Sequence, residues 1–172
     1  MAATLVALVQ TADMLPFLFL ALPAGVLADT FDRRRYLIAV HLFLTVTAGL
    51  LAAVTYAGLM RPALLLTLTF LEGAGSALAI PAWQAIIPEL VPRSQLPSAS
   101  ALGSINQNLA RAIGPATTGV MVSGLGVGAV FAVNAFTFAF GILVMFLWQR
   151  PEHAPDTLGL EAIVPALRAG TR

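Results

Sequence analysis

Long apolar runs separated by short polar segments dominate this sequence. Five runs reach the length, roughly 20 residues, that an α-helix needs to cross the hydrocarbon core of a bilayer. They lie at approximately residues 5–28, 36–59, 62–87, 97–123 and 126–148. The segments between them are short, as in antiparallel helical hairpins. The pattern therefore predicts an all-α, multi-pass transmembrane bundle over residues 1–149, followed by a cytoplasmic linker at residues 150–172.

The composition favours a membrane protein over a soluble one. Hydrophobic residues make up 59% of the chain and charged residues only 10%, against about 25% charged residues in a typical soluble domain. The net charge of +1 provides no basic surface for nucleic acid. Cysteine is absent and the two histidines lie far apart, so we predict no metal centre. No nucleophile, base and acid occur in a catalytic pattern, so we predict neither an enzyme nor a cofactor.

The arginines are distributed unevenly between alternate connections. One set of connections, taken with the C-terminal tail, contains most of them: Arg33, Arg34, Arg35, Arg93, Arg150, Arg168 and Arg172. The other set contains only Arg61. Because positive charge is retained inside the cell, we expect the loop at residues 29–35 and the C-terminus to face the cytoplasm. Five spans then put the N-terminus outside, which suggests that a helix is missing from the front.

The segment at residues 25–35 contains the most specific motif. Its informative positions are Gly25, Leu27, Ala28, Asp29, Arg33 and Arg34. They resemble the signature between the second and third helices of the major facilitator superfamily, although Thr30 and Asp32 depart from it. The run Asp-Arg-Arg-Arg is similar to the enterobactin-exporter-like, or transmembrane secretion effector, branch. The resemblance implies a gating loop, including Gly25, that contacts the C-terminal half and stabilises the outward-open state. An isolated basic loop would instead be only a topology anchor.

Two further motifs follow in the order that the superfamily has. Residues 81–92 resemble the end of its fourth helix and the cytoplasmic loop after it. Gly114, Pro115 and Gly119 are similar to the glycine-proline element of the fifth helix in family exporters. In the family these small residues allow close helix crossing and the proline bends the helix. The resemblance therefore implies a partial superfamily fold, helices two to six, which lacks the first helix and the second half.

Three ionisable residues, Asp13, Glu72 and Arg111, fall near the middle of predicted spans. Each costs about 2.5–3.5 kcal/mol at the centre of a membrane helix, so such residues usually pair or line a water-filled path. One hypothesis is that Arg111 pairs with one acid while the other couples transport to protons, with Glu72 as the better candidate. The alternative is a static network that joins the helices. Asn108 shares a face with Arg111 and extends this polar stripe, and Asn134 is expected to join helices.

The resemblance implies a truncated N-terminal half of a bacterial secondary active transporter in the cell membrane. It further implies efflux of small molecules, with a siderophore or a drug as the substrate, and the intramembrane acids suggest that efflux is coupled to protons. The alternatives are a non-transporting membrane remnant and a half-transporter that needs a partner subunit. The expected partners are the lipid bilayer, a small-molecule substrate, and the missing C-terminal half or a partner subunit.

Overall fold

A computed structural model describes residues 2–148 of the chain. They form five long helices, which are α1 (Ala2–Thr30), α2 (Arg33–Tyr56), α3 (Pro62–Leu90), α4 (Leu96–Leu125) and α5 (Val127–Leu147). A short 3-10 helix, Arg93–Gln95, precedes α4. Residues 2–148 contain no strand, so the predicted all-α fold is confirmed. The predicted linker at residues 150–172 lies outside the described residues.

The connection between α1 and α2 is shorter than the sequence pattern predicted. We expected a loop at residues 29–35, but only Phe31 and Asp32 separate the two helices. The Asp32 side chain accepts a hydrogen bond from the backbone N–H of Arg35 at 2.9 Å. This N-cap satisfies one of the free amides at the helix start, so α2 begins earlier than the apolar run alone indicates. The arginines therefore project from the first helical turn and not from an extended loop.

The contacts at the two ends of the bundle establish the path of the chain. Arg34, at the start of α2, binds carbonyls at the end of α5, and Arg33 binds the end of α3. We call this side the arginine end. On the opposite side, here the far end, a Cβ added to Gly128 would lie 3.0 Å from the ring of Tyr56. Because α3 ends at the arginine end and α5 starts at the far end, α4 runs through the full thickness of the bundle.

The core of the bundle lies where α3 packs against α1 and α2, and where α2 packs against α5. Its buried cluster comprises Ala28, Leu37, Ala82, Ile86 and Met145. Close approach depends on glycine at several crossings. A Cβ at Gly141 would lie 2.8 Å from the imidazole of His41, for example. Such tight contact is how membrane helices associate, since lipid provides no hydrophobic force to drive them together.

Within the described residues, four helices are long and apolar enough to cross a membrane: Thr4–Thr30, Arg33–Tyr56, Pro62–Leu90 and Val127–Leu147. Their outer faces expose large apolar side chains, such as Leu18 (77% exposed) and Leu22 (75% exposed). The helix α4 has sufficient length but is more polar, because it contains Asn106, Gln107 and Arg111. It lies at the edge of the bundle, where none of its residues is buried.

Candidate functional site

Arg33 joins the ends of three helices at the arginine end. Its guanidinium donates to the Oε1 of Glu89 at 2.6 Å and to the carbonyl oxygen of Ala85 at 3.1 Å. It also lies 3.8 Å from the carboxylate of Asp29. The side chains of Arg33 and Glu89 are only 30% and 18% exposed. Charge-assisted hydrogen bonds with this degree of burial contribute more than an ion pair in open solvent, so Arg33 is a clamp between α2 and α3. The Asp29 side chain of α1 is 76% exposed, so its pair with Arg33 adds little.

Arg34 makes a separate contact with the end of α5. Its Nε donates to the carbonyl oxygen of Met145 at 2.7 Å, and its Nη2 donates to the carbonyl oxygen of Phe146 at 2.8 Å. The last carbonyls of a helix have no partner within the helix and form the negative end of its dipole. The cationic side chain therefore satisfies these groups and fastens α5 to the first turn of α2.

Gly25, predicted to belong to the gating loop, makes no close contact with another helix in the described part of the chain. Apart from its own stretch of helix, no atom lies within 4 Å of a Cβ added at Gly25. The buried small residues of this segment are Ala24 and Ala28, with exposures of 0% and 2%. They occupy successive turns of one face, so the close contact of α1 lies on that face and Gly25 lies beside it.

Glu72 lies at the crossing of α1 and α3. A Cβ at the neighbouring Gly73 would overlap the backbone carbonyl oxygen of Asp13, so the two helices are in direct backbone contact. Oε2 of Glu72 accepts a hydrogen bond from the Nδ2 of Asn134 at 3.4 Å, which joins α5 to α3. Oε1 is buried and has no hydrogen-bond partner among the described residues. Because Gly73 meets the backbone of Asp13, the crossing brings two acids, Asp13 and Glu72, to the same level of the bundle.

Arg111 is not brought to these acids. The two ion pairs within residues 2–148 are both made by Arg33, and Arg111 is exposed on α4. The predicted pairing of Arg111 with an acid is therefore not seen. Its physical reason is the position of α4, which packs mainly on α5, whereas the acids lie at the crossing of α1 and α3.

The remaining predicted residues of α4 also face open space. Asn108 is exposed, and no atom of another helix lies within 4 Å of a Cβ added at Gly114 or Gly119. Pro115 lies inside the helix. The glycine-proline element thus makes no close crossing within residues 2–148.

Two contacts of the arginine end were missed from the sequence. Glu89 falls within the motif at residues 81–92. An acidic residue in this motif, opposite the arginines of residues 33–35, could have indicated the ion pair. The α5 carbonyls that Arg34 binds gave no signal, because every residue type has a backbone carbonyl.

The whole chain, residues 1–172, matches the family described as transmembrane secretion effector. It is 28% identical over 169 residues to the staphyloferrin A transporter of Staphylococcus aureus, covering 94% of this chain and 42% of that protein. It is 31% identical over 163 residues to the multidrug efflux pump Tap of Mycobacterium tuberculosis, covering 89% of this chain and 39% of the pump. Macrolide efflux protein A of Enterococcus faecalis is 22% identical over 152 residues, covering 88% of this chain and 47% of the relative.

The chain spans less than half the length of these relatives. All three relatives are named as transporters or efflux proteins, not as enzymes, and the resemblance noted from the sequence is confirmed. The chain belongs to the transmembrane secretion effector family of the major facilitator superfamily.

Proposed function

We propose that this chain is one half of a proton-coupled exporter of small molecules in the bacterial cell membrane, and that it works with a second half or a partner subunit. Relatives named for a siderophore, for macrolides and for multiple drugs support export as the activity. The observation that carries proton coupling is the Glu72 carboxyl group, whose Oε1 is buried without a hydrogen-bond partner in residues 2–148.

The surroundings of Glu72 suit a group that gains and loses a proton. A charged carboxylate in an apolar site is costly unless all its oxygens are hydrogen-bonded. Asn134 supplies one long hydrogen bond to Oε2. A proton on Oε1 would neutralise the negative charge of the carboxylate. When the two halves of such a transporter rock, access to a midplane site alternates between the two sides. Protonation on one side and release on the other would then couple proton entry to export.

Substituting Glu72→Gln in the native host is expected to abolish the efflux that depends on this gene. Glutamine keeps the size of the side chain and an oxygen for Asn134, but it carries no exchangeable charge. Ethidium retention in energised cells is the measurement, with the gene deletion as the reference. We expect the variant to retain ethidium as the deletion does, and a matched Asp156→Asn variant to behave as the wild type. Efflux by Glu72→Gln with unchanged pH dependence would contradict proton coupling, and a deletion without effect would favour the non-transporting remnant.

We further propose that the arginine end faces the cytoplasm and that α4 crosses the membrane with the other four helices. Arg33, Arg34, Arg35 and Arg93 cluster at this end, whereas the connections at the far end contain Arg61. This asymmetry supports the orientation. The course of α4 from one end of the bundle to the other supports a fifth crossing.

The absence of cysteine permits a direct test of this orientation with single-cysteine variants. Ser94→Cys lies at the arginine end, and Leu59→Cys and Leu125→Cys lie at the far end. In intact cells, a membrane-impermeant maleimide is expected to label Leu59→Cys and Leu125→Cys but not Ser94→Cys. Labelling of Ser94→Cys alone would reverse the orientation. Labelling of Leu59→Cys without Leu125→Cys would mean that α4 does not cross.

The second half, we propose, covers the exposed face of α4. Arg111 and Asn108 rarely would face lipid at this depth, and Gly114 leaves room for a close helix. Gly114→Leu is therefore expected to reduce ethidium efflux several-fold in cells. The stability of the purified chain should remain within about 0.5 kcal/mol of the wild type, as for a surface change. Normal efflux by this variant would contradict a close partner at α4.

A further inference from the structure

The hydrogen bond between Glu72 and Asn134 joins two helices that have little other contact with each other. Both α3 and α5 pack extensively on α2, yet the Nδ2 of Asn134 on α5 reaches the Oε2 of Glu72 on α3 at 3.4 Å. Asn134 is half-buried. An amide inside a membrane bundle is stabilised by a hydrogen bond to another helix, so this side chain bridges α3 and α5.

The helix α2 passes beside this bridge without offering it a polar partner. Gly75 of α3 meets Leu44 of α2, and because the two helices are antiparallel, Glu72 lies about level with Thr47. The Thr47 hydroxyl is buried and donates to a backbone carbonyl of its own helix at 2.9 Å. His41, the nearest titratable residue of α2, lies nearly two turns away towards the arginine end. The hydrogen bonding of Glu72 therefore depends on α5 and not on α2.

The other neighbouring helix, α1, brings a second acid and no counter-charge. Asp13 lies at the same level, where its backbone meets Gly73. Both ion pairs within residues 2–148 belong to Arg33, so no basic side chain of this region neutralises either acid. A buried carboxylate without a counter-charge is costly. The hydrogen bond from Asn134 is the contact within residues 2–148 that stabilises the ionised form of Glu72.

We propose that Asn134 is a positioning residue for Glu72, and that the coupling proton resides on Oε1. An amide N–H can donate to a carboxylate and also to the C=O oxygen of a protonated carboxyl group. With Oε2 held by Nδ2, a proton taken from water on one side of the membrane binds to Oε1 and returns to water on the other side. The Oε2 atom accepts from Asn134 throughout, so α3 and α5 stay joined while the charge changes. This role rests on the proposed function, because it concerns the same proton.

Infrared difference spectra of the purified full chain, recorded between high and low pH, test which oxygen carries the proton. A protonated carboxyl group absorbs through its C=O bond, and the band of Glu72 is the one that Glu72→Gln removes. If the proton is on Oε1, the C=O bond ends at Oε2 and is weakened by the hydrogen bond from Asn134. Asn134→Leu is therefore expected to shift this band to higher wavenumber. Asn134→Ala, which removes the amide without adding bulk, should produce the same shift.

Thr137→Val is the matched control, because it removes the other polar side chain of α5. The Thr137 hydroxyl donates to the backbone carbonyl of Asn134 and not to Glu72, so the Glu72 band of this variant should coincide with that of the wild type. Thermal unfolding followed by circular dichroism verifies that each variant is folded.

Two results would count against this role, and they have different meanings. An unshifted Glu72 band in Asn134→Leu and Asn134→Ala would overturn the role of Asn134 alone, because the C=O bond would then end at the unpartnered Oε1. The absence of any band that depends on Glu72 at low pH would show that this group does not take up a proton. That result would overturn the proposed proton coupling, and the role of Asn134 with it.

Discussion

Substituting Gly73→Ala is expected to lower the free energy of unfolding by about 3 kcal/mol, at the upper end of the cost of overpacking a well-packed interior. The added Cβ would overlap the backbone carbonyl oxygen of Asp13 and lie 2.9 Å from its carbonyl carbon. Backbone atoms inside a helix cannot rotate away as a flexible side chain can. The helices α1 and α3 must therefore separate, and the contact between them weakens along its length. Unfolding of the purified chain in mixed micelles of rising SDS content, followed by circular dichroism, is the measurement.

Gly49→Ala provides the matched control for this substitution. Gly49 also lies inside a helix, but no atom comes within 4 Å of an added Cβ. Alanine has the higher helix propensity, by up to about 1 kcal/mol, so this variant should be as stable as the wild type or slightly more stable. Equal unfolding midpoints for the two variants would contradict the close crossing at Gly73. Because the crossing also positions Glu72, we expect Gly73→Ala to impair efflux. Cells that express this variant should therefore retain ethidium.

The second large effect is expected for Arg33→Ala, which should cost about 2 kcal/mol in the same unfolding assay. Hydrogen bonds to charged groups contribute about 1.5–3 kcal/mol, and partial exposure of Arg33 (30%) and Glu89 (18%) moves the value below the upper limit. The variant leaves the Glu89 carboxylate without this guanidinium and leaves the carbonyl of Ala85 without its donor. The clamp between α2 and α3 is lost in one step.

Arg35→Ala is the matched control for Arg33→Ala, since it removes the same side chain two residues away. Arg35 is exposed, and the change should cost less than about 0.5 kcal/mol, as for most surface substitutions. A double-mutant cycle with Glu89→Ala should give a coupling energy of about 1–2 kcal/mol for the pair. A coupling energy of zero between Arg33 and Glu89 would show that the clamp does not stabilise the bundle. Equal effects of Arg33→Ala and Arg35→Ala would show the same.

The helices and the arginine motif were accessible from the sequence because they depend on local patterns. Apolar runs of membrane length predict helices directly, and the run after Asp29 drew attention to Arg33 and Arg34. The end of α1 and the start of α2 were less accessible. The Asp32 side chain caps α2, and the apolar run alone gives no sign of that cap.

The partners of the intramembrane charges were not accessible, because they depend on which helices are neighbours. The sequence indicates that Glu72 needs a partner in the membrane, but not that an amide on α5 provides it. In the structure Asn134 takes that place, whereas Arg111 lies on α4 at the edge of the bundle. Likewise, α1 and α3 meet where Gly73 contacts the backbone of Asp13. The arrangement of the helices in the bundle, and not the type of each residue, determines which of these contacts form.

The two hydrogen bonds of Arg34 have a mechanical consequence. They hold the last carbonyls of α5 against the first turn of α2, at the point where the chain leaves the helix at Trp148. The end of α5 is therefore tied to the first turn of α2 both by this side chain and by the packing of Met145 against Leu37 in the core. The same turn of α2 contains the clamp at Arg33, so a displacement of the end of α5 would reach the ends of α2 and α3 together.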